Sequence, residues 1–455
     1  MFLLVIAGLA SGCGSASHKA AAVRADPPVR HVKHVKRGID VVVIVKDGDT
    51  GRLLRSARVR IGSHHARTNA DGVASLRLSR LGRLVVRAVA RGYTEQSVAL
   101  RFGKRRYHRL ALYQPQLQWT LYGATAQRTQ AHADIKLRPP FHVVWRRSVG
   151  YIEFPAVVSD GAAYISDLGG TVRALRMRDG QLLWARKIQG GKSAASPAVV
   201  GDDLVVHGMD GYVRVLDRRS GGLRWRFRVG SPIESSPLVV HGLDYFGAWN
   251  GNVYALDLQR RRVRWVFRSG YKITSSASLA GGNLFIGDYG ARIWALSPQT
   301  GRTRWVSSVG GRIYGTPAVS HGRVFVPSST GYSLTAFSVS GRRLWTINTG
   351  AYVYSSPAVW AGRVYFGSFN GALYCVSAAS GRILWTYSSG QAISGAPTVV
   401  DGVVYFSHRL RTYGLDARTG RTLMSFADGD YVPISGNGGT LLLHGFSTLY
   451  GLASR

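Results

Sequence analysis

The chain has 455 residues, with 59 lysines and arginines against 23 aspartates and glutamates, and its formal net charge is +36 at pH 7. Hydrophobic residues make up 45% of the sequence, which is enough for a folded core and excludes an intrinsically disordered chain. Only two cysteines are present, so a disulfide-rich framework is excluded as well. A positive charge spread through the whole chain favours anionic surroundings, such as phospholipid or cell-wall polymers.

A short apolar stretch at residues 2–10 is too short to span a bilayer and ends in Ala-Ser-Gly-Cys at Cys13. This arrangement resembles the signal segment and lipobox of bacterial lipoproteins. The resemblance implies that residues 1–13 are a lipoprotein-type signal segment and that the thiol of Cys13 is acylated. The protein would then be extracytoplasmic and lipid-anchored to the bacterial membrane. A lone, unmodified cysteine is the alternative.

Residues 14–38 contain six lysines and arginines, one aspartate and no apolar periodicity. This composition predicts a flexible basic tether. Beside a lipid anchor, such a tether would be attracted to an anionic membrane surface or cell-wall polymer, with each basic residue contributing about 1 kcal/mol. A solvated linker is the alternative, and the two are compatible.

Residues 39–113 alternate apolar and polar residues in short runs separated by turn residues, which predicts a small β-sandwich. The string D-x-D-T-G-x-x-L-x-x-A-x-V at 47–59, followed by T-N-A-D-G-V-A, resembles the carboxypeptidase-regulatory or transthyretin-like domain. That resemblance implies a spacer or an adhesion unit. Asp47, Asp49 and Asp71 lack the spacing of a calcium loop, so turn capping is predicted for them.

A tryptophan recurs about every 40 residues along the last two-thirds of the chain, and Met424 stands at the eighth place. Each interval contains short apolar runs separated by glycine, aspartate or asparagine, which is the length and pattern of one four-stranded propeller blade. The sequence therefore predicts an all-β protein, with an eight-bladed β-propeller over residues 114–455. The recurring residues are Trp145, Trp184, Trp225, Trp265, Trp305, Trp345 and Trp385.

The ends of the propeller region complement each other. Eight sets of three inner strands can be counted, but the last set has no outer strand after it, whereas residues 141–149 (FHVVWRRSV) have no inner set before them. We expect these residues to close the last blade, because an open ring would expose unpaired strand edges.

A second signature lies in the link between the third and fourth strands of the blades, as in VLDRRSGGLRW at 215–225, with Arg261 in place of the glycine in one blade. It resembles the tryptophan-docking motif of the quinoprotein-like propellers, which are named for pyrroloquinoline quinone (PQQ). The stretch WTLYGATAQRTQ at 119–130 resembles that family's lead-in to the first blade. The resemblance implies that the tryptophans are structural wedges between blades.

The same family contains PQQ-dependent dehydrogenases, whose resemblance would imply a quinone held against a vicinal disulfide and a calcium ion. This chain has no adjacent cysteines, and its 39 to 41-residue repeats have no insertions to build such a pocket. We therefore predict no cofactor, no metal and no catalytic residues. A quinoprotein-like oxidoreductase or sensor that binds PQQ and calcium remains the alternative.

The compact repeats most resemble the propeller lipoproteins of the outer-membrane β-barrel assembly machinery, the BamB-type subgroup. This implies a monomeric scaffold, anchored in the cell envelope, that binds protein or peptide partners in envelope assembly or quality control. A carbohydrate-binding or cell-wall-binding adhesion protein is a weaker alternative. No nucleic-acid-binding motif is present, so no specific nucleic acid is predicted as a partner.

The channel mouth is the predicted partner-binding site, because the residues just before each Ser-Ser-Pro step vary where the fold's own residues repeat. Tyr314 and Tyr354 fall on adjacent blades and predict an aromatic ledge with acidic residues opposite, which suits peptide or sugar contacts. The alternative is that the tyrosines only fill the packing. The predicted mouth residues are Glu153, Glu234, Thr274, Tyr314, Tyr354 and Ser394.

Overall fold

A computed structural model describes residues 38–188 and 192–454. The predicted signal segment, Cys13 and the predicted tether up to residue 37 lie outside these residues. Within them, the secondary structure is β except for a 3₁₀ turn at Pro115–Leu117, and none of it forms a helix long and apolar enough to cross a membrane. The predicted all-β class is therefore confirmed.

The first seven strands form two sheets, with the orders β4-β1-β7 and β3-β2-β5-β6. Alternate residues of the first strand, Val41, Val43 and Val45, are fully buried between the sheets, as the alternating sequence requires. The family resemblance of this sandwich stays a prediction. The strands are β1 (Ile39–Asp47), β2 (Arg58–Ile61), β3 (His64–Arg67), β4 (Val73–Leu78), β5 (Gly82–Val89), β6 (Gln96–Phe102) and β7 (Tyr107–Leu112).

The aspartates at the first turn of the sandwich have structural partners. Asp47 Oδ1 accepts hydrogen bonds from the backbone N–H groups of Asp49 and Thr50, which is turn capping. Asp49 instead reaches the ring, where its carboxylate accepts bonds from Gln118 Nε2 at 3.0 Å and Asn437 Nδ2 at 2.8 Å. The sandwich is thus attached to the propeller by a partly buried polar contact.

The remaining strands belong to the propeller. They are β8 (Ala131–His132), β9 (Phe141–Ser148), β10 (Val157–Ser159), β11 (Ala162–Ser166), β12 (Thr171–Arg176), β13 (Leu182–Lys187), β14 (Ala198–Val200), β15 (Asp203–His207), β16 (Tyr212–Asp217), β17 (Leu223–Arg228), β18 (Leu238–Val240), β19 (Leu243–Gly247), β20 (Asn252–Asp257), β21 (Arg262–Arg268), β22 (Ser278–Ala280), β23 (Asn283–Gly287), β24 (Arg292–Leu296) and β25 (Thr303–Ser308). They continue with β26 (Ala318–Ser320), β27 (Arg323–Ser328), β28 (Ser333–Ser338), β29 (Arg343–Asn348), β30 (Ala358–Trp360), β31 (Arg363–Gly367), β32 (Ala372–Ser377), β33 (Ile383–Ser388), β34 (Thr398–Val400), β35 (Val403–His408), β36 (Arg411–Asp416), β37 (Thr422–Phe426), β38 (Ile434–Gly436), β39 (Leu441–His444) and β40 (Thr448–Ser454).

From β10 to β37 the strands form antiparallel sheets of four consecutive strands, each beginning with a three-residue inner strand. The last sheet has the order β38-β39-β40-β9, so the early strand β9 supplies its outer strand and pairs Trp145 with Gly451. Inner strand β10 contacts both β14 and β38, which closes the ring. Eight such sheets are found in the part of the chain that the structure describes.

The recurring tryptophans lie between neighbouring blades. The indole N–H of Trp265 donates to Pro298 O of the next blade at 2.9 Å, and Gly301 of that blade lies under the ring. A Cβ atom on Gly301 would be 2.5 Å from Trp265 Cε3, so only glycine fits there without movement. Equivalent indole-to-carbonyl bonds are made by Trp145, Trp184, Trp305 and Trp345.

Two blades depart from this arrangement. Arg261 stands where the other blades have glycine, adopts the left-handed conformation at φ 55°, and places its guanidinium over the ring of Trp225 at 5.8 Å. Trp385 Nε1 is buried and finds no hydrogen-bond acceptor in the described part of the chain. The wedge therefore depends mainly on ring packing, to which the hydrogen bond is an addition.

Candidate functional site

Residues 119–132, which precede the first blade, lie against the channel-facing edges of the inner strands. Their carbonyl groups accept bonds from one inner strand after another, for example Thr120 O from Val199 N and Gln127 O from Val319 N. At the end of the segment, β8 pairs in parallel with β34. The segment therefore satisfies backbone groups that would otherwise face an open channel.

Arg128 lies at the centre of this segment and has no exposed surface. Its guanidinium donates to the carbonyl oxygens of Tyr122, Ser236, Pro237 and Ala277, of which the Pro237 contact is 2.8 Å and the Ala277 contact is 2.9 Å. Burial lowers its pKa to about 10, so the group stays charged at neutral pH. The carbonyl dipoles replace the water that burial removes, and the side chain fills this end of the channel.

A chain of side-chain oxygens lies just above this level and links successive blades. The hydroxyl of Ser236 accepts from Ser196 N, and Ser276 Oγ accepts from Ser236 N at 2.9 Å. Thr316 and Ser356 continue the same pattern over the next two blades. These hydroxyls belong to the recurring Ser-Ser-Pro steps and their variants, and recurrence at the blade period was the available sequence signal for an interblade contact.

Above these hydroxyls lies a cavity of about 300 Å³. All six predicted mouth residues line it: Glu153, Glu234, Thr274, Tyr314, Tyr354 and Ser394. They meet because each occupies the same place in its blade, so the sequence period becomes rotation about one axis. Further lining residues were not singled out from the sequence: Tyr122 at the floor, Phe154, Phe369, Tyr431 and Val432.

The two glutamates of the cavity differ in their surroundings. Glu234 is buried and accepts bonds from Tyr314 Oη at 2.7 Å and Trp249 Nε1 at 2.9 Å. Glu153 forms no salt bridge with any described residue. Burial and, to a smaller extent, the charge of Glu234 together raise the pKa of Glu153 to about 7. Burial also raises the pKa of nearby Asp430 to about 6.

Aromatic rings form one wall of the cavity. Tyr314 and Tyr354 meet edge to face, with centroids 5.1 Å apart, and Phe369 packs on Tyr354 at 5.0 Å. Tyr314 also reaches across to Glu234, so the predicted ledge and the predicted acidic side are joined by a hydrogen bond. Ring faces beside carboxylates present negative potential to anything that enters, which suits a cationic group.

The lining does not fit PQQ. That cofactor is a tricarboxylate, whereas the described residues that line the cavity include two glutamates and no lysine or arginine. Cys375, the one cysteine in the described ranges, is fully buried within β32 and does not line the cavity. Across residues 38–188 and 192–454 there is also no group of His, Cys, Asp and Glu side chains arranged to hold a metal ion.

Solved structures with the same architecture include BamB from Moraxella catarrhalis, with a TM-score of 0.60 and 17% identity over 69% of this chain and 99% of that chain. The quinohemoprotein alcohol dehydrogenase from Comamonas testosteroni has a TM-score of 0.65 and 13% identity over 74% of this chain and 81% of that chain. At such identities these likenesses establish the fold alone, and they confirm a β-propeller.

Two curated relatives carry the name outer membrane protein assembly factor BamB. The protein of Taylorella asinigenitalis is 35% identical over 77 residues, and that of Pseudomonas aeruginosa is 29% identical over 123 residues. These matches cover 17% and 27% of this chain, and they span only 20% and 31% of the relatives' own length.

A family model matches a much larger part of the chain, in three overlapping stretches at residues 168–279, 250–354 and 333–446. Together these stretches run through more than half of the sequence and coincide with the blades described above. The chain therefore belongs to the family described as outer membrane protein assembly factor BamB.

Proposed function

We propose that this protein is a non-catalytic binding scaffold of the bacterial cell envelope. It binds a protein partner at the cavity on the propeller axis that Glu153, Glu234 and Tyr314 line. The observation that carries the proposal is the cavity itself: Arg128 and its segment fill the channel beneath it, and acidic and aromatic side chains line it. Family membership supports a role in envelope assembly, because the relatives are named as outer membrane protein assembly factors.

The cavity suits one basic side chain of a partner peptide. A volume of about 300 Å³ is at the lower end for ligand pockets, so it accommodates a side chain better than a folded element. Glu153 has no ion-pair partner in the described ranges, and the ring of Tyr354 stands at the same cavity. A lysine or arginine would meet both a carboxylate and an aromatic face there.

Site-specific photo-cross-linking in the native envelope tests this proposal. A photoreactive phenylalanine analogue at Phe369, which is 37% exposed beside the cavity, is expected to capture a discrete partner. The same analogue at Tyr107 of the sandwich, which is 50% exposed, is the control. Introducing Glu153→Gln and Glu234→Gln together should abolish capture at Phe369. Capture that persists in this double variant would overturn the proposal.

We also propose that Cys13 carries the lipid anchor and that the basic tether lies at an anionic membrane surface or cell-wall polymer. The lipobox-like sequence supports the first part, and the six basic residues of 14–38 support the second. Labelling with a radioactive fatty acid should mark the wild-type protein, and Cys13→Ser should remove the label. A Cys13→Ser protein that is still labelled would refute acylation at this position.

A further inference from the structure

The sandwich sheet β3-β2-β5-β6 has one face on the core and the other in solvent. Core-facing residues such as Val59, Ile61 and Val86 are buried, whereas the residues between them are exposed. The exposed positions are strongly basic and include Arg58, Arg60, Arg67, Arg83, Arg87 and Arg101. Across residues 39–113 the sequence holds sixteen lysines and arginines against five aspartates and glutamates.

The strand register places several of these arginines directly opposite one another. Arg58 pairs with Arg67 across β2 and β3, and Arg60 pairs with Arg87 across β2 and β5. On the same face, Arg83 of β5 pairs with Arg101 of the edge strand β6. Like charges at directly opposed positions destabilise a sheet, so nothing in the sandwich's own stability favours this pattern.

Arginines of the ring are placed differently. Arg173, Arg214 and Arg218 each contact an aspartate, and together with others they account for most of the salt bridges in the described ranges. The salt bridge found within the described sandwich joins Arg77 of β4 to Asp40 of β1, and both strands belong to the sheet β4-β1-β7. Among described residues, the exposed arginines of β2, β3 and β5 form no salt bridge, although Glu95 lines the same groove as Arg58, Arg60, Arg67 and Arg87.

We propose that this arginine-rich sheet face docks on the surface of an anionic phospholipid bilayer. Neighbouring strands lie about 4.8 Å apart and same-face residues about 6.8 Å apart along a strand, so the guanidinium groups are closely spaced on one face, where Arg58, Arg60, Arg67 and Arg87 line a groove. Each guanidinium can hold a phosphate through two hydrogen bonds. The phosphates at the surface of an anionic bilayer match both the charge and the close spacing of these groups.

Two features of the face favour a bilayer over other polyanions. Val85 lies on β5 between Arg83 and Arg87 and is 50% exposed, which places an apolar side chain where it can enter the headgroup region. The exposed positions of these strands include no phenylalanine, tyrosine or tryptophan on which a nucleobase could stack. The inference does not depend on the cavity or on the lipid anchor.

Vesicle co-sedimentation of the full chain carrying Cys13→Ser tests the proposal, because no acyl chain then contributes to binding. The probes are vesicles of phosphatidylcholine alone and of phosphatidylcholine with phosphatidylglycerol. We expect binding only to the second type. The triple variant Arg60→Gln, Arg67→Gln and Arg87→Gln should lower the partition coefficient on the order of 100-fold, from about 1 kcal/mol per basic residue near the surface.

A matched control removes the same charge from the ring. Arg262, Arg264 and Arg268 are exposed on β21, and their triple change to glutamine should alter the partition coefficient less than about fivefold, the contribution of one residue near the surface. Both triple variants must first melt no lower than the unmodified protein, because exposed substitutions generally cost little and the sheet variant removes opposed like charges. Equal losses from the two variants would overturn the proposal, since general charge would then explain binding.

A second experiment with soluble polyanions tests whether the sheet face binds a polymer instead of a bilayer. Polyphosphate and duplex DNA are added separately to the same proteins at the same ionic strength. If the sheet variant loses affinity for either polymer but keeps its affinity for phosphatidylglycerol vesicles, the face binds a polymer and the bilayer proposal is wrong. Loss of vesicle binding in the sheet variant, with full binding in the ring control, establishes the bilayer as its partner.

Discussion

The backbone N–H of Ala156 donates a hydrogen bond of 3.0 Å to Nε2 of His444, although the two residues are 288 positions apart. Nδ1 of the same ring lies 3.2 Å from Pro433 O, so the neutral tautomer with the proton on Nδ1 satisfies both contacts. Ala156 leads into β10 and His444 ends β39, so one imidazole joins the first blade to the last. Burial lowers the pKa of His444 to about 4.

Acid should weaken this closure. The unfolded chain takes up a proton on His444 at a pKa of about 6.5, whereas the folded chain does so only at about 4. The histidine's contribution to stability is therefore fully present above pH 6.5 and is lost as the pH falls towards 4. Urea unfolding at pH 7.5 and pH 5 should show a smaller decrease for His444→Ala than for the unmodified protein.

The same variant carries a cost at pH 7.5, because Ala156 N–H is left buried without an acceptor. We expect a loss of about 1–3 kcal/mol of unfolding free energy. Equal pH dependence in the two proteins would contradict the assignment of the acid sensitivity to His444.

Replacing Arg128 should be among the most damaging single changes. Arg128→Met keeps the length of the side chain but leaves several buried carbonyl groups without their donor. We expect a loss of at least about 3 kcal/mol, measured by urea unfolding at pH 7.5. Arg264→Met, at an exposed position on β21, is the control and should stay within about 0.5 kcal/mol of the parent. A similar loss from both substitutions would show that Arg128 does not support the channel.

Alanine substitutions at two glycines with the same left-handed backbone conformation distinguish the cost of backbone strain from the cost of a steric clash. Gly301 has φ 71° and lies under Trp265, whereas Gly310 has φ 81° and a Cβ atom added to it would have no neighbouring atom within 4 Å. Gly310→Ala should cost only the left-handed strain, about 1 kcal/mol. Gly301→Ala should cost about 1–3 kcal/mol more, because the added methyl would meet the indole.

Thermal denaturation of the two variants measures that difference. A matching cost at both positions would mean that the indole moves aside freely and that the wedge is not tightly packed.

Glu153 in the cavity should change the pH dependence of folding stability in the opposite direction from His444. Burial raises the pKa of Glu153 to about 7 in the folded protein, against an ordinary value of 4.5. Between these values the folded chain binds more protons than the unfolded chain, so this residue lowers stability as the pH rises from 4.5 to 7. Glu153→Gln should remove that part of the pH dependence in unfolding experiments over this range. An unchanged slope would show that Glu153 titrates at its ordinary value.

The spacing of the tryptophans was sufficient to predict most of the fold. Trp145 and its successors predict blades of about 40 residues, and the same period places Glu234 and Tyr314 around one axis, although 80 positions separate them. Local sequence has no comparable signal for Arg128. The lead-in motif identifies its segment, but its burial depends on carbonyl groups more than 100 positions away.

Contacts between the sandwich and the propeller could not be predicted from the sequence either. The carboxylate of Asp49 meets Asn437 across 388 positions, and no repeat relates the two residues. Arg261 shows the converse case, since a glycine signature predicts the left-handed conformation and an arginine adopts it over Trp225. The sequence period predicts the contacts that recur in every blade. It gives no signal for contacts that occur once, such as the one between Asp49 and Asn437.

The position of β9 and of the segment around Arg128 has a consequence for biosynthesis. Both are made before any blade, yet β9 pairs with β40, which ends at Ser454, and residues 119–132 contact inner strands as late as β34. During synthesis these early segments cannot pair with their late partners until nearly the whole chain has been made. An unpaired strand edge invites association with other chains. A chain that stops before β40 would therefore keep β9 as an unpaired edge that can associate with other chains.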